Sequence, residues 1–583
     1  MSQTKEWGIL PAQTLARELF VRSRLEGHYV DKTHALEKHL RAPADATVYT
    51  CPDRFGKTMF LSMFAQFLDI TKDSRKLFEG LKVSANRELC QKWMNQCPVL
   101  FLSLKDETST SLEEALQNIR NHISYACREH SYLLESPDLD CMDREDMEAF
   151  IAGTADSDLL QSALLVLTRI LHSHHGKMPV VLVDDCDSPV ARAAEYGYYD
   201  EMADFLDGFF CEGLKTNFDL KFSLLAGRVH IPTRSLTSGF NNASVYEVTK
   251  HGWCADFFAF TEEEVDTLLC KTGFADKRED FRAWYGGYRF GNKKDLYCPF
   301  GVMHYLSELQ KDASALPGSF WQDRLPELSK RLPLERHVWM ADNAAELLAG
   351  EAIVENFWRR SGYDPEHCRS GDVWHLLCKA GYVTRDLKER EEPSSGWGER
   401  VHLVIPNREI RELFREEFRV WFGKIVGREQ EEAFFAAFWQ ADGEGLKRVL
   451  EALFEKSRES SSEPDAAGKG SLSTLSRALV LGFFFLAFPE TLSCRGMGRD
   501  VFRILDDGGS GARGAIVKIS RASGMEKLAA LAEEGFTQLR EGECEAGLLP
   551  EQKAGTVVYA SIAYRVQRCE VRTAIVARQP IIQ

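Results

Sequence analysis

Gly56-Lys57-Thr58 is the tripeptide in this chain with the clearest chemistry. It follows a short turn, Cys51-Pro52-Asp53-Arg54-Phe55, which itself follows the strand-like end Val48-Tyr49. Met59, Phe60, Met63, Phe64 and Phe67 then recur at helical spacing, so a helix starts near Gly56. Strand, turn, Gly-Lys-Thr and amphipathic helix form the layout of a phosphate-binding loop. The N–H groups at the helix start face an anion, Lys57 reaches terminal phosphates and the Thr58 hydroxyl holds Mg²⁺. The usual loop opens with a Gly five residues before the second Gly, and Cys51 occupies that position. Gly-Lys-Thr alone also fits a plain helix start, so a matching acidic strand further on is needed to decide.

Residues 178–187, MPVVLVDDCD, supply one. Four apolar residues read as a buried parallel strand whose carboxyl end carries Asp184, Asp185 and Asp187. In P-loop NTPases the first such Asp orients the Mg²⁺ shell and the next acidic residue polarises the attacking water, roles that fit Asp184 and Asp185.

The elements that must position these groups follow in order. Residues 98–104 and 220–227 read as further strands, with two helical stretches between 104 and 178 and an amphipathic helix over 200–214. Alternation of strands and helices across 45–260 implies a parallel sheet covered on both faces. A ligand then sits at the strands' carboxyl ends, beside Lys57, Asp184 and Ala226. Upstream, Tyr29-Val30-Asp31-Lys32-Thr33 precedes a helix through Leu36 and Leu40, with Asp31 or Thr33 as its cap. The block 260–265 opens a capped helix that would form a small lid, and Trp284, Tyr285, Tyr288 and Phe290 read as core aromatics. Helix 373–379, strand residues 381–384, strand 401–405 and helix 411–422 resemble a winged-helix module. Residues 456–471 have the composition of a linker.

At 583 residues the chain holds two to four domains, and 44% apolar with 27% charged residues is ordinary for a globular protein. A formal charge of −16 argues against a generally basic nucleic-acid binder, although a local basic groove would suffice for contact. The N-terminus lacks a signal-peptide pattern, and the longest apolar run, 478–488, is too short for a bilayer. The 15 cysteines contain no C-x-x-C pair, and His174-His175 and His367-Cys368 lack the spaced second pair of a metal site. These features read as a cytoplasmic protein with reduced thiols and no membrane contact.

Ordered blocks along nearly the whole chain resemble a bacterial and archaeal family of AAA-ATPase-like proteins that carry a C-terminal PD-(D/E)XK nuclease-type domain. They are YVDKT at 29–33, P-x-RFGKT at 52–58 with the LSMF that follows, LFEGL at 77–81 and VLVDDCDSPV at 181–190. GYYDEM at 197–202, SGFNN at 238–242, FTEEEVDTLL at 260–269, WYGGYRF at 284–290 and IPNREI at 405–410 continue the series. The resemblance implies an α/β protein: a P-loop NTPase parallel sheet with helical lid, a helical, winged-helix-like middle region and a C-terminal α/β restriction-endonuclease-like domain. The segments expected are 1–260, 261–330, 331–455, the linker 456–471 and 472–583. It also implies ATP and Mg²⁺ as cofactors, held by Arg54, Phe55, Gly56, Lys57, Thr58 and Asp184, with Asp185 as the catalytic candidate.

Departures from the family pattern qualify that expectation. The family loop resembles R-P-R-R-F-G-K-[ST], so the missing Gly is a family trait, but Cys51 and Asp53 replace two arginines. Asp185 replaces a Glu, and Ala226-Gly227 replaces Thr-Gly. In the last domain the pattern resembles G-x-G-R-Y-D followed by I-E-x-K. Here Asp500 keeps the first carboxylate as a metal ligand, while Lys518 stands at the Glu and Ser520 at the Lys. The Gln of the next helix aligns with Ala530 and the following aromatic with Phe536. The expectation is a nucleotide-dependent switch with slow or absent hydrolysis and a degenerate nuclease-like domain. Its partners are a nucleotide and a protein partner or second copy. The alternatives are an interaction scaffold with both sites vestigial, and an ATP-coupled DNA nuclease.

Overall fold

A computed structural model describes residues 12–26, 29–105, 108–215, 217–228, 243–321, 338–358, 370–386, 398–460, 470–488, 492–493, 501–506, 513–540, 556–565 and 568–577. Two compact units form, residues 1–318 with 355–401 and residues 319–354 with 402–583.

The first unit is built on a five-stranded sheet of β1 (Ala46–Thr50), β2 (Val99–Ser103), β3 (Val180–Asp184), β4 (Phe222–Gly227) and β5 (Ala243–Glu247). Their order is β2-β3-β4-β1-β5, and every pairing is parallel. All residues of β1 to β4 are buried, as strands covered on both faces must be, whereas β5 is half-buried at the edge. Strand β5 escapes a sequence reading because only five residues of weak alternation mark it. Between β2 and β3 lie four α-helices, Leu112–Glu129, Cys141–Ala152, Ser157–Gln161 and Ala163–His175, where two were expected. The breaks come from side-chain caps at Asp140 and Asp156 and a left-handed Gly153, which stop one helix and start the next.

The block at 29–33 acts as a structural stitch. Asp31 accepts from Thr33 N at 2.9 Å and from Lys82 N at 2.7 Å, while the Thr33 hydroxyl accepts from Val83 N at 3.1 Å. Buried Lys32 donates to Ala259 O at 2.7 Å and to Glu264 at 2.6 Å. Glu264 also closes the capping box of the helix Glu262–Thr272 with Thr261, so that helix is tied to the N-terminal block. A hairpin of β6 (Tyr288–Phe290) and β7 (Lys293–Leu296) follows, with Tyr285, Tyr288 and Phe290 buried and Trp284 half-buried. Next come β8 (Ile353–Trp358), helix Ser370–Ala380, β9 (Thr384–Arg385) and β10 (Gly398–Val404), with sheet order β8-β10-β9.

The second unit combines helices with a mixed sheet of β11 (Leu492–Ser493), β12 (Val501–Asp506), β13 (Arg513–Arg521), β14 (Thr556–Arg565) and β15 (Arg568–Ala577). Pairing is antiparallel except for β13 with β14, which the helix Leu528–Arg540 separates in sequence, as a parallel connection requires. The expected linker is helical at both ends: one helix runs Gly443–Ser460 and the next Gly470–Ala487, and 461–469 lie outside the described residues. Charged and small residues of that stretch extend helices whose apolar stripes lie just outside it, so composition misplaced its bounds. No described helix is long and apolar enough to cross a membrane, and the run around Ala478 is core.

Helix packing in this unit centres on Phe483, 1% exposed, whose ring stacks on Phe434 at 3.9 Å and meets Phe422 edge-on at 5.1 Å. Phe483→Ala is expected to lower stability by about 3–5 kcal/mol in urea denaturation, and Phe483→Leu by less than half as much.

Candidate functional site

Strand β1 delivers the chain to the loop at Thr50, and Cys51 N continues the ladder to Gly227 O at 2.9 Å. The loop turns back through two left-handed residues, Arg54 at φ +67° and Gly56 at φ +81°. Glycine takes that conformation without penalty, and it lets the helix Lys57–Leu68 begin directly behind the turn. Phe55 is fully buried edge-on to Tyr288 at 4.9 Å, and the Arg54 guanidinium lies 4.1 Å over the Phe300 ring. Both side chains therefore anchor the loop from behind and leave its backbone to face the site.

Lys57 is 6% exposed, and its ammonium is fully engaged. It donates to Cys51 O at 3.0 Å and Pro52 O at 3.1 Å, and it pairs with Asp53 Oδ1 at 3.2 Å. Burial pulls its pKa down, but Asp53 and then Asp185 outweigh that and leave it raised. Thr58 Oγ1 donates to Asp184 Oδ2 at 2.7 Å, joining the loop helix to the end of β3 across 126 positions of sequence. Asp184 Oδ1 is buried with no hydrogen-bond partner. An orphaned carboxylate oxygen beside a threonine hydroxyl and a lysine suits a water or a hydrated divalent ion.

Three more groups complete the carboxyl edge of the sheet. Asp185 sits at φ +49°, a strained conformation for a non-glycine residue. Asp187, 1% exposed, accepts from Arg228 N at 3.0 Å. Arg228 also reaches Asp53 Oδ2 at 3.3 Å and Asp187 Oδ2 at 3.8 Å. Gly227 is required by close approach, since a Cβ there would lie 2.7 Å from Asp187 Oδ1 and 3.0 Å from Cys186 Sγ. Burial pushes the Asp184 carboxyl up to about 7, helped by Asp185 and opposed by the Thr58 hydrogen bond. Asp185 is raised too, by burial first, with Lys57 opposing.

The sequence-expected residues Arg54, Phe55, Gly56, Lys57, Thr58, Asp184 and Asp185 thus lie at one end of the sheet. Ala226 is there too, buried and without a polar group. Arg228 and the pairing of Asp53 escaped the sequence reading. The available signal was an arginine one residue past the carboxyl end of a strand, where open α/β sheets place their ligands.

In the second unit, Asp500 lies outside the described residues. Lys518 on β13 stands in register with Val501 and Ser561 and donates to Gln538. The helix after β13 carries Gln538 near the strand, eight positions after Ala530, and packs on Ser561 and Lys518 through Gly535. Ser520 pairs in register with Ala563. His174 contacts Ser136 and His175 contacts Tyr132, at 2.8 and 2.9 Å, while His367-Cys368 lie outside the described residues. Among the described residues no group of three or more His, Cys, Asp or Glu is placed to hold a metal ion by itself.

A parallel five-stranded α/β sheet with this loop and acid strand is consistent with a P-loop-like domain. Residues 19–237 match the model of a family described as predicted AAA-ATPase, a likeness that suggests nucleotide binding. The chain is also 25% identical over 409 residues to the "Uncharacterized protein in vnfD 5'region" of Azotobacter chroococcum mcd 1. That alignment covers 69% of this chain and 68% of the relative.

Because the folded state holds the Asp184 proton to higher pH than the unfolded chain does, this group's contribution to stability falls between pH ~4 and ~7. Asp184→Asn, which can still accept from Thr58, is expected to remove that slope. The variant should be more stable than the parent above pH 7, by a few kcal/mol at ~1.4 kcal/mol per pKa unit, and level with it near pH 4. Urea melts between pH 4 and 8 check the crossing.

Proposed function

We propose that the first unit binds ATP with Mg²⁺, turns it over slowly or not at all, and acts as a nucleotide-dependent switch for the rest of the chain. The Thr58–Asp184 contact carries this reading. It joins the phosphate-loop helix to the acid strand, with Lys57 alongside and one Asp184 oxygen left without a partner. In this reading the helix-start N–H groups and Lys57 take the phosphates, and Thr58 and Asp184 orient the metal shell. Mg²⁺, when bound, supplies charge neutralisation between the terminal phosphates. Asp185 is the water-orienting candidate. Its side chain is one methylene shorter than Glu and its backbone is strained, which supports weak turnover.

For the second unit we propose a nuclease-like domain that has lost cleavage. Support comes from three antiparallel strands, a helix and a parallel fourth strand, with the cation Lys518 on the strand where a metal-holding acid would be needed. The helix and strands at 370–404 followed by the helix Arg408–Ile425 support a winged-helix-like middle region. One observation favours a second reading, an interaction scaffold with vestigial sites: Asp53 already neutralises Lys57.

A thermal-shift and calorimetric titration of the full chain with Mg·ATP and Mg·GTP separates the two. The switch reading expects saturable binding, weakened on the order of 100-fold by Lys57→Ala. No binding by the parent, or unchanged binding by Lys57→Ala, favours the scaffold. Incubation of plasmid DNA with Mg²⁺ or Mn²⁺ is expected to leave it intact; cleavage lost in Asp500→Ala would restore the nuclease alternative.

A further inference from the structure

Asp53 is the feature of the site that nucleotide binding does not require. Its two carboxylate oxygens serve two different cations, Oδ1 pairing with Lys57 at 3.2 Å and Oδ2 with Arg228 at 3.3 Å. One cation opens the helix that follows β1 and the other lies one residue past β4, and β1 pairs with β4 with Thr50 in register with Gly227. Their convergence is therefore fixed by the sheet. The carboxylate is 15% exposed, so its pairing is only partly screened by water. A bridging carboxylate of this kind does what two oxygens of a phosphate would do: it satisfies a lysine and an arginine at once.

Building on the nucleotide reading above, we propose that Asp53 is an internal counter-anion of the phosphate site. A triphosphate must displace it from Lys57 and Arg228, and Arg228 then becomes a second cationic contact for the phosphates. Asp53 thereby sets the affinity of the site for the phosphate chain and leaves contacts to the base and sugar untouched. Asp187 keeps a second hold on Arg228 when Asp53 is displaced, accepting from its backbone N–H at 3.0 Å and lying 3.8 Å from its guanidinium Nε. Charge sets the sign. Replacing Asp53 by a neutral residue removes one negative charge from beside an anion site and takes away the carboxylate that competes with the phosphates for both cations.

The test measures binding of Mg·ATP, pyrophosphate and adenosine to the full chain for the parent, Asp53→Asn, Arg228→Gln, Lys57→Ala and Asp53→Asn/Arg228→Gln. Expected is Mg·ATP and pyrophosphate binding at least about tenfold tighter in Asp53→Asn, with adenosine unchanged. Arg228→Gln is expected to cost more in the Asp53→Asn background than in the parent, since only there does the arginine face the phosphates without the competing Asp53 carboxylate. Should Asp53→Asn melt well below the parent, Asp53→Ser replaces it with the same expectation. Affinity equal to or weaker than the parent's overturns the counter-anion, as does an equal gain for adenosine. If the parent then still binds and Lys57→Ala does not, the nucleotide reading stands without it. Absence of binding to the parent and both Asp53 variants overturns both.

Discussion

Everything at this site depends on burying charge at the carboxyl ends of three adjacent strands. Four carboxyls, Asp53, Asp184, Asp185 and Asp187, face two cations, Lys57 and Arg228, which leaves two negative charges uncompensated when all four ionise. Buried charge is tolerated only where partners and hydrogen bonds offset the desolvation cost. The protein answers in two ways. Asp53 and Asp187 take the cations, and Asp184 holds its proton to near neutral pH. An excess of negative charge repels a bare polyanion and attracts a cation.

The parts of this arrangement legible in the sequence are those whose meaning is local. Apolar spacing after Gly56 fixes the loop helix, and the run ending at Asp184 marks a buried strand, because each periodicity is complete within a dozen residues. Arg228 was not legible because its role is set by the pairing of β1 with β4, whose partners lie some 177 positions apart in sequence. Asp53 was legible as a lost positive charge, yet its two partners come from a helix start and a distant strand end. Helix breaks at Asp140 and Asp156 depend on caps a few residues long, which an apolar pattern bridges without a gap.

Substitution of Lys518 and the place of Gln538 follow a related logic in the second unit. A strand position reads directly from sequence, because side chains alternate with period 2 and the register of β13 with β12 and β14 is continuous. The facing helix has no such fixed reference. Its phase is set by where Gly535 lets it approach Ser561, a contact that an amphipathic pattern does not mark. Lys518 donating to Gln538 then joins the strand to the helix through side chains.

The loop after β1 also has a neighbour that reaches a second region, and within the first unit β5 has that place. Strand β1 lies between β4 and β5, and Thr50, the residue before the loop, stands in register with Gly227 on one side and Glu247 on the other. Val248 N donates to Thr50 O at 2.9 Å, which ties the end of β5 to the start of the loop. Glu247 in turn faces Lys379 and His375 of the helix Ser370–Ala380, each at 3.6 Å. Burial would raise the Glu247 pKa, but Lys379 first, then His375 and Arg385, hold it well below the usual carboxylate range. A carboxylate kept ionised chiefly by a helix's lysine is an anchor whose strength depends on its position. One strand, β5, therefore separates the end of β1 from that helix.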